Sequence, residues 1–309
     1  MAKVFAILLN TYREAVRARI LLGLFALALA TTCYALVVGQ YASKNSLRVI
    51  SDIGSFGVSS YGVLVAIVLG ATSLYREVEL KTIYPILARP LGRTQYLVGK
   101  VLGTWLVLVV FMLANAGVLL VALHAMAGGQ NWVWIALLLG STALFLIVWK
   151  RFPRASTYVP IPWSIGLVLL GWVLAKEAPD DRRVVLASAL LASFETAVTT
   201  ALATLFSAFS SPFLTAIFTL GVFLVGRSAD TLAKLPVKVF GQEIHDLGEV
   251  LARVVPNLMV YVPPRPVLTG EVAGESFTGY ALLAFAQAGG WVLFFVVVAS
   301  LLFKQRDFV

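Results

Sequence analysis

Residues Tyr75 to Lys100 read YREVELKTIYPILARPLGRTQYLVGK, and this stretch organises the rest of the chain. It lies between two long apolar runs, Phe56 to Leu74 and Val101 to Leu123. Each run is long enough to cross a hydrocarbon core of about 30 Å as a helix. The stretch between them is therefore an aqueous loop, and Arg76, Lys81, Arg89, Arg93 and Lys100 place it on the cytoplasmic side. Its own pattern predicts a short helix over Glu77 to Leu87. Glu77 and Lys81 form an i,i+4 pair in the favourable order, and Val78, Ile83, Ile86 and Leu87 give the segment an apolar side. Pro90 disfavours helix at Arg89 and ends the segment. A second helix is expected to restart near Arg93 and to run into the next span. A helix held crosswise at a membrane surface is a handle for a soluble partner.

Composition supports a membrane protein. The chain has 309 residues, 60% of them hydrophobic and only 13% charged, where soluble proteins average about 25% charged. The expected fold class is all-α, a polytopic transmembrane bundle of about eight spans. The single cysteine, Cys33, lies inside an apolar run, so there is no disulfide framework and no cysteine metal site. His124 and His245 fall in separate loops, and with four methionines the chain lacks the ligand density of a metal pathway.

Outward from the central stretch, Ala2 to Arg19 mixes apolar and basic residues. Its longest apolar run, Val4 to Leu9, is too short for a signal peptide and better fits an interfacial amphipathic helix over 1–19. The expected spans are Ile20–Val38, Phe56–Leu74, Val101–Leu123, Trp132–Trp149, Tyr158–Ala175, Val184–Phe209, Phe213–Val225 and Gly279–Phe303. Between the last two lies a loop, 226–278, too long to be structureless. There Ile244, Leu247, Leu251 and Val254 recur at helical spacing against Glu243, Asp246, Glu249 and Arg253, which predicts a surface-lying amphipathic helix on the outer face.

Both termini are then cytoplasmic. The inner segments carry 14 Lys/Arg against 10 outside, and four acids against ten. The net charge of +9 therefore belongs to the cytoplasmic membrane face, not to a nucleic-acid groove. The seven tryptophans fall mostly near span ends, the ordinary aromatic belt.

Two motifs remain. Gly99-Lys100 is no phosphate loop: Gly92 is wrongly spaced and Val101 stands where Ser or Thr is needed. The chain is thus expected to carry no ATPase of its own, and the energy must come from elsewhere. Glu195 is the only acid within a span, among Ser193, Thr196, Thr199, Thr200 and Thr204. A carboxylate in lipid is costly and marks a functional candidate. One reading makes Glu195 and Thr199 a site for substrate or proton handling. The other, favoured here, makes Glu195 protonated or hydrogen-bonded glue on a Ser/Thr/Ala packing seam.

The order Ile83-Tyr84-Pro85-Ile86-Leu87-Ala88-Arg89-Pro90, Gly92-Arg93, Gly99-Lys100 resembles the first cytoplasmic loop of ABC-2-type exporter permeases. The branch most similar includes the membrane subunit of the nitrous-oxide-reductase maturation transporter. Relatives usually carry Ser-Arg in place of Gly92-Arg93. The likeness extends to Pro256-Asn257-Leu258 and to Phe303–Phe308, but not to 131–183. It implies a bacterial or archaeal cytoplasmic-membrane protein that pairs with a second permease copy or a related subunit. It also implies an ABC ATPase partner that holds ATP and Mg, docked through Glu77, Glu79, Lys81, Ile83, Ile86, Arg89 and Arg93. Such relatives commonly have six spans, which makes 131–183 an extra hairpin. The resemblance implies an exporter subunit that couples ATP hydrolysis by that ATPase to outward movement of a substrate, with a mechanotransmitter for extracytoplasmic protein assembly as the alternative that the branch implies. A channel, scramblase or sensor without an ATPase is the remaining alternative.

Overall fold

A computed structural model describes residues 2–17, 19–79, 92–128, 131–152, 157–271 and 276–305. Among them every regular element is helical. Numbered in chain order, the first are α1 (Ala2–Arg17), α2 (Arg19–Tyr41), α3 (Ser46–Glu79), α4 (Arg93–Met126) and α5 (Asn131–Arg151). Then come α6 (Pro160–Leu174), α7 (Pro179–Ser207) and α8 (Pro212–Arg227). The short helices α9 (Ala229–Leu232) and α10 (Val237–Phe240) precede α11 (Gln242–Val254) and α12 (Arg265–Thr269). The chain closes on α13 (Phe277–Gln305).

A helix stands at each of the eight expected span positions, and the protein is an all-α polytopic bundle. Among the described residues five of them, α2, α3, α4, α7 and α13, are long and apolar enough to cross a membrane. Two are short. At 1.5 Å per residue, the 15 residues of α6 and the 16 of α8 reach only about 22 and 24 Å. A short α8 has a consequence at the site, because its last residue, Arg227, stays within the bundle.

Helix α3 departs from the sequence reading at both ends. An outer loop was expected over 39–55 and a docking helix over Glu77–Leu87, of which 80–87 lie outside the described residues. Instead one helix of 34 residues runs from Ser46 to Glu79, about 50 Å long. The apolar run only marks where α3 is buried in lipid or protein. Ser46, Arg48 and Asp52 at one end, and Arg76, Glu77 and Glu79 at the other, are all compatible with continued helix. The expected restart near Arg93 is where α4 begins, with Gly92 in an extended conformation as its N-cap.

Small residues bring the helices together, as they do where lipid tails give no hydrophobic drive to association. Gly70 of α3 faces Ala203 of α7, and a Cβ at Gly103 of α4 would stand 2.6 Å from the Leu8 carbonyl oxygen of α1. Helix α1 is amphipathic. It buries Thr11, Tyr12 and Ala15 and exposes Lys3, Asn10, Arg13 and Glu14. Tyr12 stacks on Tyr158 at 6.3 Å, and Arg13 Nε donates to the Tyr158 hydroxyl at 2.7 Å.

At the centre is α7, packed against α3, α4 and α13. Its Ser/Thr seam is buried, and most of the hydroxyls donate back to carbonyls three or four residues earlier: Thr196 to Ala192, Thr199 to Glu195, Thr204 to Thr200 and Ser207 to Thr204. Bonding of that kind satisfies the polar atoms within their own helix and leaves the surface smooth for packing.

The segment after α8 does not stay at the surface. Gly226 lies against the Pro256 carbonyl and Leu258. Tyr280 donates to the Val260 carbonyl and Gln287 to the Asn257 carbonyl. Residues 256–260 therefore run beside α13 from its first turn to about 15 Å along it. Helix α11 is amphipathic, with Ile244, Leu247 and Val254 exposed.

Candidate functional site

Glu195 lies 16 residues into α7, about 24 Å from that helix's first turn. Arg227, the last residue of α8, meets it there. Arg227 Nε donates to Glu195 Oε1 at 2.6 Å and Nη2 to Oε2 at 2.8 Å, a two-pronged ion pair. Ser59 of α3 completes it, accepting from Arg227 Nη2 at 2.9 Å and donating to Glu195 Oε2 at 3.1 Å. The Arg227 guanidinium also sits 5.5 Å from the Phe223 ring centre. Glu195 is fully buried and the Arg227 side chain is 20% exposed. Three helices are thus tied at one point, far from either end of the bundle.

A cavity of about 240 Å³ leads to this pair. Ser55, Ser59, Arg227 and Tyr261 line its depth, and Asp52 and Arg265 its mouth. At the mouth Arg265 bonds Asp52 at 2.7 Å, Ser51 at 3.1 Å and Asp181, and Ser51 donates to Asp181 at 2.8 Å. Burial tends to lower the Arg265 pKa, but the hydrogen bonds and charges of Asp181 and Asp52 outweigh it and hold the guanidinium above its ordinary value. That cluster joins α12 to α3 and α7. The buried hydroxyls of Ser55 and Tyr261 have no partner among the described residues. Burial, then the charges of Glu195 and Tyr280, keeps the Tyr261 phenol above its ordinary pKa.

The expected site residues fall differently. Glu195 sits in the bundle, hydrogen-bonded and ion-paired. Thr199 turns its hydroxyl to the Glu195 backbone carbonyl and not to the carboxylate, so the two share a helix face without forming a joint polar site. Glu77 and Glu79 are in the last turn of α3, and Arg93 opens α4. Lys81, Ile83, Ile86 and Arg89 lie outside the described residues. Sequence reading missed Arg227 by assigning it to the outer loop after Val225. The available signal was length, since sixteen residues counted from Pro212 cannot clear a 30 Å core. It missed Arg265, Asp52 and Asp181 because they are 213 and 84 residues apart in the chain. Among the described residues no group of three or more His, Cys, Asp and Glu is placed to hold a metal.

Residues 15–160 match the family model described as ABC-2 family transporter protein. Over those residues the chain is similar to the ABC-2 transporter family. That match and the long apolar helices support an integral membrane permease subunit of an ABC transporter, a family that works with an ABC ATPase in general. The match contains α2, α3, the central stretch and α4 in order, and it continues through α5 to residue 160. It therefore takes in a helix beyond the limit at which the sequence resemblance stopped. The partners of Ser59 in the ion pair, Glu195 and Arg227, lie outside the matched residues. No curated protein matches the permease.

Proposed function

We propose that this permease is the membrane half of an ATP-driven exporter, with ATP and Mg held by a separate ATPase that docks on residues 75–100. A second permease copy or a related subunit completes the membrane part, in a bacterial or archaeal cytoplasmic membrane. The observation that carries this reading is the continuity of α3. One rod joins Glu77 and Glu79, at the docking stretch, to Ser59 at the ion pair and to Asp52 at the cavity mouth. A push on the docking stretch then moves the Glu195–Arg227 pair and the Arg265 cluster together, because packed helices shift as bodies and do not bend continuously. The ion pair acts as a clamp that keeps α7 and α8 with α3 during that motion.

The same rod supports a second reading, transmission of force to an extracytoplasmic protein. The amphipathic α11, with Ile244, Leu247 and Val254 exposed, is the feature that favours it.

Docking is tested by co-purification. Ile83→Asp would strand an unpaired charge in the ATPase interface at a cost of about 3–5 kcal/mol, at least a hundredfold in affinity. The ATPase should be lost from that variant, while Glu79→Lys, at the rim, should show mainly a salt-dependent weakening. Retention of the ATPase by Ile83→Asp at the wild-type level would remove the docking reading. Failure of the wild type to bind any ATPase would favour a channel, scramblase or sensor.

A further inference from the structure

Helix α5 packs loosely against α6, which is itself packed closely on α4, and a lateral groove of about 530 Å³ runs between α5 and α6. Its lining is almost wholly apolar: Leu144, Phe145 and Val148 from α5, and Pro162, Trp163 and Leu167 from α6. These residues belong to the last turns of α5 and the first turns of α6, so the groove lies in the half of the hairpin next to residues 150–159. Trp163 forms its wall, with ring centres 4.8 Å from Phe145 and 6.1 Å from Phe25.

The hairpin's own charge has one sign. From Asn131 to Leu174 the chain contains Lys150, Arg151 and Arg154 and no Asp or Glu. Lys150 and Arg151 are exposed in the last turn of α5, with no acidic partner among the described residues. Arg13, held on Tyr158 at the other side of the groove's end, adds a cation there. An apolar slot at the depth of acyl chains, ending at cations at the depth of headgroups, fits an amphiphile with an anionic head. A second copy of the permease meeting this end would bring the same cations against it.

We propose that the α5–α6 groove holds an acyl chain of an anionic phospholipid whose headgroup phosphate lies against Lys150 and Arg151. The lipid fills the gap between α5 and α6 and fastens α5 to α6 through Phe145 and Trp163. The selection is electrostatic: each cation beside an anionic headgroup is worth about fivefold in binding, and two are worth about thirtyfold.

Trp163 is a built-in reporter. The full-length permease is reconstituted in phosphatidylcholine vesicles containing a small fraction of phosphatidylglycerol brominated on its acyl chains. In a parallel set the bromine is on phosphatidylcholine. The Trp163 signal is the difference between wild type and Trp163→Phe, and circular dichroism checks that both are folded. Brominated phosphatidylglycerol should quench that signal at a mole fraction at least tenfold lower than brominated phosphatidylcholine. In the Lys150→Gln/Arg151→Gln variant the two lipids should quench alike. Equal quenching by both lipids in the wild type overturns the proposal, as does a phosphatidylglycerol preference that survives in the double variant. Absence of quenching by either lipid also overturns it, because protein then fills the groove.

Discussion

Glu195→Gln is the most informative single change. On sequence alone the amide keeps the hydrogen bonding of a buried carboxyl and the variant is near normal. Arg227 reverses that expectation. Glu195 is fully buried and takes both prongs of the guanidinium at 2.6 and 2.8 Å. Removing its charge leaves Arg227, only 20% exposed, without a counter-charge. Breaking a buried pair in this way costs about 3–5 kcal/mol. The cavity beside Arg227 admits some solvation, so the lower end, about 3 kcal/mol, is expected. Arg227→Gln should cost somewhat less, because a lone carboxylate can take up a proton. The double variant Glu195→Gln/Arg227→Gln has no stranded charge and should recover most of the loss, for a coupling of at least about 2 kcal/mol. The assay is thermal unfolding of the detergent-purified permease, comparing the wild type, both single variants and the double. Additive losses, or single variants as stable as wild type, would refute the clamp. Transport separates the two roles of Glu195: a clamp predicts that the stable double variant regains activity. Handling of protons or substrate predicts that it stays inactive while well assembled.

Further outcomes follow from other parts of the fold. Gly103→Val puts a side chain where a Cβ already meets the Leu8 carbonyl at 2.6 Å; such overpacking costs about 1–3 kcal/mol, measurable as a lower unfolding midpoint and faster proteolysis of α1. The Tyr12 phenol is pushed up to about 12 by burial and then by Tyr158. The folded state thus holds a proton that the unfolded chain releases above pH 10, and stability falls as pH rises from about 10 to 12. Tyr12→Phe should lose part of that alkaline fall in a pH series of unfolding midpoints. With Cys33 replaced, single cysteines at Glu177 and Gly241 should react with an impermeant thiol reagent applied outside, and one at Phe152 should not. Labelling of Phe152 from outside would overturn the expected sidedness of the α5–α6 hairpin.

Sequence made the helices legible because a bilayer forces long apolar runs into helices, whatever they pack against. The positions of α2, α4, α7 and α13, the start of α4 near Arg93 and the amphipathic α1 and α11 all follow from local pattern. Continuity was not legible. Hydropathy changes where α3 leaves the apolar zone, at Ser55 and again at Tyr75, but the helix does not end there. The ion pair was half legible. A lone Glu195 in a span requires a partner, yet Arg227 reads as a loop residue until α8 proves too short to carry it out. The Arg265 cluster and the return of 256–260 beside α13 depend on contacts between distant parts of the chain, which no local pattern encodes.

The central claim is that α3 carries motion from the docking stretch to the cavity above the ion pair. The direct measurement uses the reconstituted permease–ATPase complex with Cys33 replaced and one cysteine at Ser55, whose side chain lines that cavity. The rate of reaction with a water-soluble thiol reagent is followed with and without ATP, in an otherwise wild-type chain and with Ile83→Asp added. The account predicts a several-fold change of rate on adding ATP that disappears with Ile83→Asp. The same rate with and without ATP, in a complex that hydrolyses it, would contradict the account.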